Sequence, residues 1–381
     1  MQHVVIIGPA YPLRGGLATF NQRLARQFQE EGFSCTIYSF SLQYPSFIFP
    51  GTTQYSSEPP PAGINIQTKI NSINPANWLI VGKELRILQP DILIVRFWLP
   101  FMGPALGTIL RIVNKNKHTK IIAITDNIIP HEKRVGDTML TRYFLKSCHA
   151  FITMSEKVMR DLKSFFPNAP AKQVLHPLYD NFGEKVSKEE SRLKLKLPVS
   201  ERIVLFFGFI RKYKGLDMLL QAMADERIRK LHIHLVIAGE FYEDQQFYQR
   251  LADSLGIQKQ LTWSNHFIAD SDVRYYLCAA DVVIQPYRQA TQSGVTPLAY
   301  HFEKPMIVSN VGSLPVLVPH EKVGLVCEPD PLSIAGAMIR FYELGEDHFI
   351  PNIILEKGKY SWSTLLEAIT SLAGEKKPDK R

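Results

Sequence analysis

Two basic, glycine-containing loops are the parts of the sequence best suited to bind an anion. In the first loop, Arg211 and Lys214 lie between Gly208 and Gly215, after an apolar run and before a segment with helical spacing. Arginine offers phosphate oxygens a planar fork of donors, and lysine offers a mobile point charge. Glycine permits the sharp turn that such a loop needs. The alternative is a surface turn with solvated bases, which this loop taken alone would favour.

The second loop covers residues 286–297 and also follows an apolar run. Pro297 suits the first turn of a helix, because its missing amide hydrogen costs little there. The amides of Gly294 and Val295 would then lie at the positive end of the helix dipole, where anions bind. The alternative is an ordinary helix start with Ser293 or Thr291 as N-cap. We predict that both loops converge on one diphosphate.

Short apolar runs alternate with amphipathic segments along the chain, which predicts an α/β fold with parallel sheets. Helical spacing is clear at residues 17–28 and 218–223. The pattern restarts near residue 203, after a polar segment at 183–192. We therefore predict two doubly wound domains joined near residues 178–200, with ligands at the carboxyl ends of the strands. The predicted strands are 4–8, 35–40, 92–95, 121–125, 151–154, 204–208, 234–238, 282–285, 306–309 and 324–327.

The composition is that of a globular protein large enough for two domains, with 381 residues, 45% hydrophobic and 21% charged. Its four cysteines are far apart and form no CxxC pair, which argues against a disulfide framework or a zinc site. The apolar N-terminal run has neither the basic region nor the cleavage site of a signal peptide. No apolar run reaches the roughly 18 residues of a membrane span. We therefore expect a cytoplasmic protein.

The net charge of +8 is unevenly distributed. Residues 1–180 carry 19 basic and 11 acidic side chains, whereas the remainder carries 25 of each. Part of the excess lies in residues 111–120, just after an apolar stretch at 97–102. Docking of the N-terminal domain on anionic lipid, at the inner face of the membrane, is one interpretation. A core helix with a basic C-terminus is the other. Nucleic acid is not expected, because no recognised binding motif accompanies the charge.

Taken in order, the motifs resemble the family 4 retaining glycosyltransferases of the GT-B fold. The second half has the loop at 208–215, an Ala-Gly-Glu240 turn, the strand at 282–285, and the Ser293-Gly294-Val295 loop. The first half has a glycine-rich loop at 8–16. Residues 360–363 are similar to the start of the family's closing helix, which crosses back onto the first domain. Each motif is weak alone, and the resemblance depends on their order and spacing.

The resemblance implies a fold and a reaction. The fold is GT-B, with two Rossmann-like domains, residues 1–180 with 359–381 and residues 181–358, around a deep interdomain cleft. The reaction transfers a sugar of the hexosyl type from a nucleotide sugar to a saccharide or lipid-linked acceptor, as in cell-envelope polysaccharide synthesis. It proceeds with retention and needs no metal or other cofactor. The leaving phosphate can itself take the acceptor's proton, so no strong protein base is required.

The resemblance also implies roles for individual residues. Arg211 and Lys214 are catalytic, because they stabilise charge on the leaving phosphate. Asp126 is the third catalytic candidate and orients an acceptor or sugar hydroxyl, while His131 and Arg14 bind the acceptor. The alternatives are that Asp126 caps a turn and that His131 is a surface residue. The donor-binding residues are Gly15, Gly16, Gly208, Arg211, Lys214, Glu240, Phe267, Ile268, Gln292, Ser293, Gly294 and Val295.

Two departures from the family pattern leave other functions open. The family usually has two glutamates eight positions apart, which here fall at Ala290 and Leu298, and residues 282–302 contain no acidic side chain. The family's arginine falls at Phe209, so Arg211 is taken as its replacement. An inactive scaffold and a sugar-nucleotide epimerase are therefore alternatives. A nicotinamide-dependent oxidoreductase is not favoured, since GxGxxG follows neither first strand.

The sequence Asp270-Ser271-Asp272 spells the DxD motif with which other glycosyltransferases hold a metal. Here it precedes an apolar segment, residues 273–280, so we expect Asp270 or Asp272 to be a helix N-cap. No catalytic metal is predicted.

Overall fold

The computed structural model describes residues 2–45, 49, 53–130, 134–290 and 293–374. The chain divides into two compact units. Unit 1 consists of Met1–Pro177 and Ser361–Arg381, and unit 2 consists of Leu178–Tyr360. The chain therefore passes from one unit to the other twice.

Unit 1 contains a sheet of seven parallel strands. They are β1 (His3–Ile7), β2 (Ser34–Leu42), β3 (Asn65–Asn71), β4 (Ile92–Phe97), β5 (Lys120–Thr125), β6 (Ala150–Thr153) and β7 (Ala171–Gln173). The helices between them are α1 (Gly16–Glu30), α2 (Pro75–Leu88), α3 (Gly103–Val113), α4 (Asp137–Leu145) and α5 (Glu156–Phe165). The strand order is β3-β2-β1-β4-β5-β6-β7. The central strands are buried along almost their whole length, which explains their continuous apolar runs.

Unit 2 contains a sheet of six parallel strands. They are β8 (Arg202–Phe207), β9 (Ile233–Ala238), β10 (Leu261–Ser264), β11 (Val282–Gln285), β12 (Met306–Ser309) and β13 (Gly324–Cys327). The strand order is β10-β9-β8-β11-β12-β13. The helices are α6 (Lys188–Lys194), α7 (Leu216–Met223), α8 (Glu226–Lys230), α9 (Gln245–Ser254), α10 (Val273–Ala279), α11 (Val295–His301), α12 (Leu314–Leu317), α13 (Pro331–Leu344) and α14 (Ile350–Lys357).

A final helix, α15 (Trp362–Ala373), belongs to unit 1. Ser361 caps its start by accepting a hydrogen bond from the Ser363 amide. The helix packs on α1 and on strands β5 to β7, and the Trp362 ring lies 4.9 Å from the Phe20 ring between centroids. Unit 1 is thus completed by residues that follow unit 2 in the sequence.

Two Rossmann-like parallel-sheet units are what the sequence predicts, and the fold class is confirmed. All ten predicted strands are present within one or two residues of their predicted bounds. Three further strands, β3, β7 and β10, were not predicted. Each lies at an edge of its sheet and is only partly buried, so none has a continuous apolar run.

Candidate functional site

In each sheet the strand order reverses at one position, because successive connections lead to opposite edges of the sheet on either side of it. That place lies between β1 and β4 in unit 1 and between β8 and β11 in unit 2. In open α/β sheets, ligands bind at such a switch point, outside the carboxyl ends of the strands. The two anion-binding loops predicted from the sequence are the loops that follow β8 and β11. They therefore flank the switch point of unit 2.

Lys214 is the central cation of the first loop. Its side chain is buried, and among the described residues it makes no ion pair. Its Nζ lies 5.7 Å from the centroid of the Tyr287 ring. Burial, and then the nearby charge of Arg211, lowers the pKa of Lys214 from 10.5 to about 7. Because a buried cation without a counter-ion costs free energy, a bound anion would stabilise this loop.

Arg211 is exposed and is supported by an aromatic surface. Its guanidinium carbon lies 5.0 Å from the centroid of the Tyr242 ring, a cation–π distance. The Tyr242 ring in turn lies 4.5 Å from the Phe209 ring. Phe209 lies at the position of the family's arginine. By packing on Tyr242, it helps to support Arg211, which we take as the replacement for that arginine. Arg211 makes no ion pair with any residue that the structure describes.

The two loops are joined to one another. Arg288 of the second loop forms an ion pair with Asp217, in the first turn of α7, and its amide donates to the Tyr213 carbonyl at 2.7 Å. Gly215 has φ +69°, and a Cβ there would overlap the Pro286 carbonyl oxygen. Only glycine therefore lets the second loop lie this close to the first.

The loops meet around Gly208, the residue after β8. It has φ +95°, and a Cβ placed on it would lie 3.1 Å from Lys214 Nζ and 3.7 Å from Val295 Cγ2. The turn after β8, the buried lysine and the start of α11 therefore adjoin one another. Glu240 lies alongside and is buried, with its carbonyl accepting from the Ile210 amide at 2.9 Å.

Ser293 hydrogen-bonds to the start of α11, although Gly294 and not Ser293 occupies the N-cap position of that helix. Its hydroxyl donates to Gln285 Oε1 at 2.5 Å and accepts from the Val295 amide at 3.2 Å. The Val295 amide is thus hydrogen-bonded within the loop, and the roles of Ser293 and Val295 in donor binding stay predictions. Gly294 stays open, since a Cβ on it would come no closer than 4.0 Å to Tyr179. Gln292 lies outside the described residues.

The other residues predicted to bind the donor lie near these loops. Phe267 follows β10, with its ring 6.1 Å from that of Phe209, and the neighbouring Ile268 is buried. The two positions of the family's glutamates hold apolar side chains that are buried, Ala290 and Leu298. Neither position presents a carboxylate to a sugar or a ribose.

Asp126, the catalytic candidate of unit 1, is held by a residue that the sequence analysis missed. Arg96 Nε donates to Asp126 Oδ2 at 2.6 Å, and Arg96 Nη2 donates to Oδ1 at 2.5 Å. Arg96 is buried in β4, with its guanidinium carbon 4.0 Å from the centroid of the Phe20 ring. A single arginine in an otherwise apolar strand was the available signal, because buried arginines are normally paired. Asp126 does not cap a turn but is one half of a bidentate ion pair.

The switch point of unit 1 surrounds this pair. Gly8, directly after β1, is close enough that a Cβ on it would lie 3.2 Å from the Arg96 Cβ and would overlap the Asn21 amide. His176 is half-buried nearby, and loss of solvation together with the Arg96 charge lowers its pKa to about 4. Its imidazole is therefore neutral near pH 7. The residues at this point form a packed polar cluster.

The predicted acceptor and glycine-loop residues lie at the start of α1. Gly15 has φ +102° and occupies the N-cap position, and Gly16 is the first helical residue. Arg14 Nε donates to the Thr53 carbonyl at 2.8 Å, which ties this loop to residues 53–55. His131, the other acceptor candidate, lies outside the described residues.

The DxD sequence differs in one respect from the prediction. Asp272 occupies the N-cap position of α10, but its side chain makes no capping hydrogen bond, because its backbone is already helical. Within the described ranges, no three His, Cys, Asp or Glu side chains are grouped so as to hold a metal ion. None of the described helices is long and apolar enough to cross a bilayer.

Comparison with known proteins places these features in a family. The model described as Glycosyltransferase Family 4 matches residues 14–177, and the model described as Glycosyl transferases group 1 matches residues 187–351. A D-inositol 3-phosphate glycosyltransferase from Corynebacterium efficiens is 25% identical over 201 residues, 51% of this chain and 47% of that protein. An uncharacterized glycosyltransferase from Methanocaldococcus jannaschii is 26% identical over 300 residues, 74% of this chain and 75% of that protein. The chain thus spans about half the length of the first of these relatives.

Solved structures with little sequence identity share the fold. The sucrose-phosphate synthase of Thermosynechococcus elongatus superposes with a TM-score of 0.73 at 16% identity, over 98% of both chains. Anabaena HepE in complex with UDP and glucose superposes with a TM-score of 0.71 at 14% identity, over 98% of this chain and 100% of that one. These neighbours have the GT-B fold. Since the two family models account for residues 14–177 and 187–351, the chain belongs to the family 4, group 1 glycosyltransferases.

Proposed function

We propose that the chain transfers a sugar from a nucleoside-diphosphate sugar to a saccharide or lipid-linked acceptor. The proposal depends above all on one observation, the buried Lys214 that lacks an ion pair at the switch point of unit 2, with the exposed Arg211 beside it. A diphosphate supplies the negative charge that these two cations lack. The neighbouring Gly208 and Gly294 leave room for it.

In the proposed reaction, the bond from the anomeric carbon to the diphosphate breaks before the new bond is well formed. Negative charge then grows on the leaving phosphate, where Lys214 and Arg211 stabilise it more strongly than in the ground state. A leaving-phosphate oxygen takes the proton of the acceptor hydroxyl as the glycosidic bond forms on the same face. Retention therefore needs no separate base, and no metal is required to neutralise the diphosphate.

We assign the acceptor to unit 1. The bidentate ion pair with Arg96 fixes the orientation of Asp126, and its remaining lone pairs can accept from an acceptor hydroxyl. Arg14 and His131 are proposed as further acceptor contacts. We place the protein in the cytoplasm, at the inner face of a membrane that carries the acceptor.

The test is binding and turnover with nucleotide sugars, beginning with UDP-sugars, since HepE is solved with UDP. Lys214→Met should lower the affinity for the nucleoside diphosphate by about tenfold or more, because a hydrogen bond to a charged group is worth about 1.5–3 kcal/mol. The rate of transfer should fall further than the affinity. EDTA should leave the rate unchanged. Lys230→Met, on the exposed end of α8, is the matched control and should behave like wild type.

An inactive scaffold is the second candidate, because Ala290 and Leu298 replace both of the family's glutamates. A scaffold would bind the nucleotide sugar in a manner sensitive to Lys214→Met, yet release no nucleoside diphosphate with any acceptor. If the wild type bound no nucleotide sugar at all, both candidates would be wrong.

A further inference from the structure

The exposed apolar side chains of unit 1 are concentrated on two helices. Among its described residues nine large apolar side chains are exposed, and eight of these lie on α2 and α4 or just before them. The most exposed are Ile80 and Ile87 at 64% and 77%, and Val135 and Met139 at 109% and 69%. In unit 2 such side chains are spread over many separate elements. Contiguous exposed apolar surface usually marks a site of interaction.

Helix α2 has apolar residues on opposite sides. Val81 and Leu85 face inward and are buried in the core of unit 1. Ile80 and Ile87 are two turns apart on the outward side, with Lys83 between them. A surface helix normally carries polar residues on its solvent side, and Ile80 and Ile87 depart from that pattern. The outward side of α2 therefore lacks a covering partner within the described part of this chain.

Helices α2, α3 and α4 form one closely packed layer. A Cβ on Gly82 of α2 would lie 2.8 Å from Ile112 Cδ1 of α3, and a Cβ on Gly107 of α3 would lie 2.7 Å from the Tyr143 ring of α4. The Thr108 hydroxyl lies 3.0 Å from the Tyr143 hydroxyl. The exposed side chains of α2 and α4 therefore belong to the outer surface of a single layer.

Basic side chains accompany the apolar ones on this surface. Unit 1 carries 23 Lys and Arg against 13 Asp and Glu, whereas unit 2 carries 21 against 23. Lys83 and Arg86 are exposed on α2, Arg142 is exposed on α4, and Lys146 is exposed directly after α4. Arg111 is different, because its guanidinium is used inside the layer for hydrogen bonds to two backbone carbonyls. The outer surface thus combines large aliphatic side chains with mobile positive charge.

We infer that the outer surface of the α2–α3–α4 layer docks on an anionic lipid bilayer. Ile80, Ile87, Val135 and Met139 enter the boundary between headgroups and acyl chains, and the neighbouring bases contact lipid phosphates. Lysine is depleted at protein–protein interfaces, so its presence among these aliphatic residues favours a lipid surface over a protein partner. The link to a lipid-linked acceptor depends on the proposed function, but the docking does not.

The test is flotation of the full chain with vesicles of phosphatidylcholine mixed with phosphatidylglycerol, and with vesicles of phosphatidylcholine alone. Wild type should float with the mixed vesicles and be released by high salt, since salt screens exposed charges. Ile80→Gln/Ile87→Gln should weaken this binding roughly tenfold or more. Val316→Gln/Leu332→Gln changes equally exposed side chains of unit 2 and should leave it intact.

Charge is tested by a second pair of variants. Lys83→Gln/Arg86→Gln should weaken flotation by about fivefold for each charge, whereas Lys230→Gln/Lys322→Gln in unit 2 should have no effect. Equal binding to both kinds of vesicle, or flotation unaffected by the unit 1 variants, would overturn the inference. A dimer in solution that Ile80→Gln/Ile87→Gln dissolves would overturn it in favour of a second copy of the chain.

Nucleoside-diphosphate affinity is measured in parallel on the same proteins. Loss of flotation with normal nucleotide binding is the expected result for the unit 1 variants. A wild type that binds nucleotide but never floats contradicts only the docking surface. A wild type that floats but binds no nucleotide contradicts only the proposed function.

Discussion

If the proposed function is correct, Lys214 should couple nucleotide binding to the uptake of a proton. Burial lowers the pKa of Lys214 to about 7, so the unliganded lysine loses its proton near neutral pH and not near its usual pH of 10.5. A bound diphosphate favours the charged form and raises this pKa. Binding above pH 7 must therefore take up a proton, and the affinity falls by up to about tenfold for each pH unit as pH rises. Below pH 7 the lysine is already charged, and this contribution levels off.

Calorimetry in buffers of different ionisation enthalpy measures that proton directly. At pH 8 the wild type should take up a larger fraction of a proton on binding than Lys214→Met. Any proton exchange by the phosphate of the ligand is the same for both proteins, so the variant gives the value to subtract. Identical proton uptake by the two proteins would show that Lys214 is not the coupled group. The measurement needs no acceptor, so it can be made before the substrate pair is known.

At the residue scale, the sequence identified candidate charged residues of the site but not the residues with which they pair. Arg211 and Lys214 were identifiable because basic side chains stood between glycines after an apolar run. Asp126 was identified as well, yet its partner Arg96 lies 30 positions away on the neighbouring strand. Hydrophobic periodicity reports which face of an element is buried and contains no information on which charges meet. The pairing depends on strand order, which only the folded chain supplies.

At the scale of elements, the Arg288–Asp217 ion pair should matter more for binding than for stability. The pair is partly exposed, so its contribution to the free energy of unfolding is about 1 kcal/mol or less. It also holds the loop after β11 against the start of α7, next to Lys214. Arg288→Ala and Asp217→Ala should each weaken nucleoside-diphosphate affinity by roughly threefold or more.

A double-mutant cycle distinguishes this joining of the loops from a direct contact with ligand. Because the connection is lost with either partner, Arg288→Ala/Asp217→Ala should bind no more weakly than the worse single variant. Losses that multiply in the double variant would mean that the two residues act separately. Arg250→Ala, whose guanidinium pairs with Asp244 on the exposed start of α9, is a control that leaves the loops untouched.

The same scale shows why some strands could be predicted and others could not. Strands β4, β8 and β11 lie inside their sheets, and their two covered faces favour apolar residues at nearly all positions. Strand β3, at an edge, reads Asn65-Ile-Gln-Thr-Lys-Ile-Asn71 and is mostly half-exposed. Backbone pairing to β2 holds it in place, with little help from side-chain burial. Its polar sequence is compatible with an edge position but does not predict a strand.

At the scale of the whole molecule, the two units should differ in their ability to exist alone. Residues 178–360 contain every element of the six-stranded sheet and both of the loops predicted to bind phosphate. Expressed alone, this fragment should unfold cooperatively and bind a nucleoside diphosphate with affinity close to that of the full chain. Residues 1–177 alone lack α15, so the apolar surfaces of α1, β5 and β6 beneath it become exposed. That fragment should aggregate or remain partly unfolded, as circular dichroism and light scattering would show.

Adding residues 361–374 as a separate peptide should restore order to residues 1–177, provided that Trp362 and the buried side chains of α15 are kept. A fragment of residues 1–177 that is already soluble and cooperative would show that α15 is dispensable.

The position of α15 also determines the order in which the two units can fold during synthesis on the ribosome. Domains generally fold as units, the N-terminal one first, while synthesis continues. Here the N-terminal sheet emerges first but lacks its last covering helix until residue 373 has been made. The second unit, complete at residue 360, is therefore the first that can finish folding. Until then the nascent N-terminal half presents uncovered apolar surface, which is the kind of surface that chaperones bind.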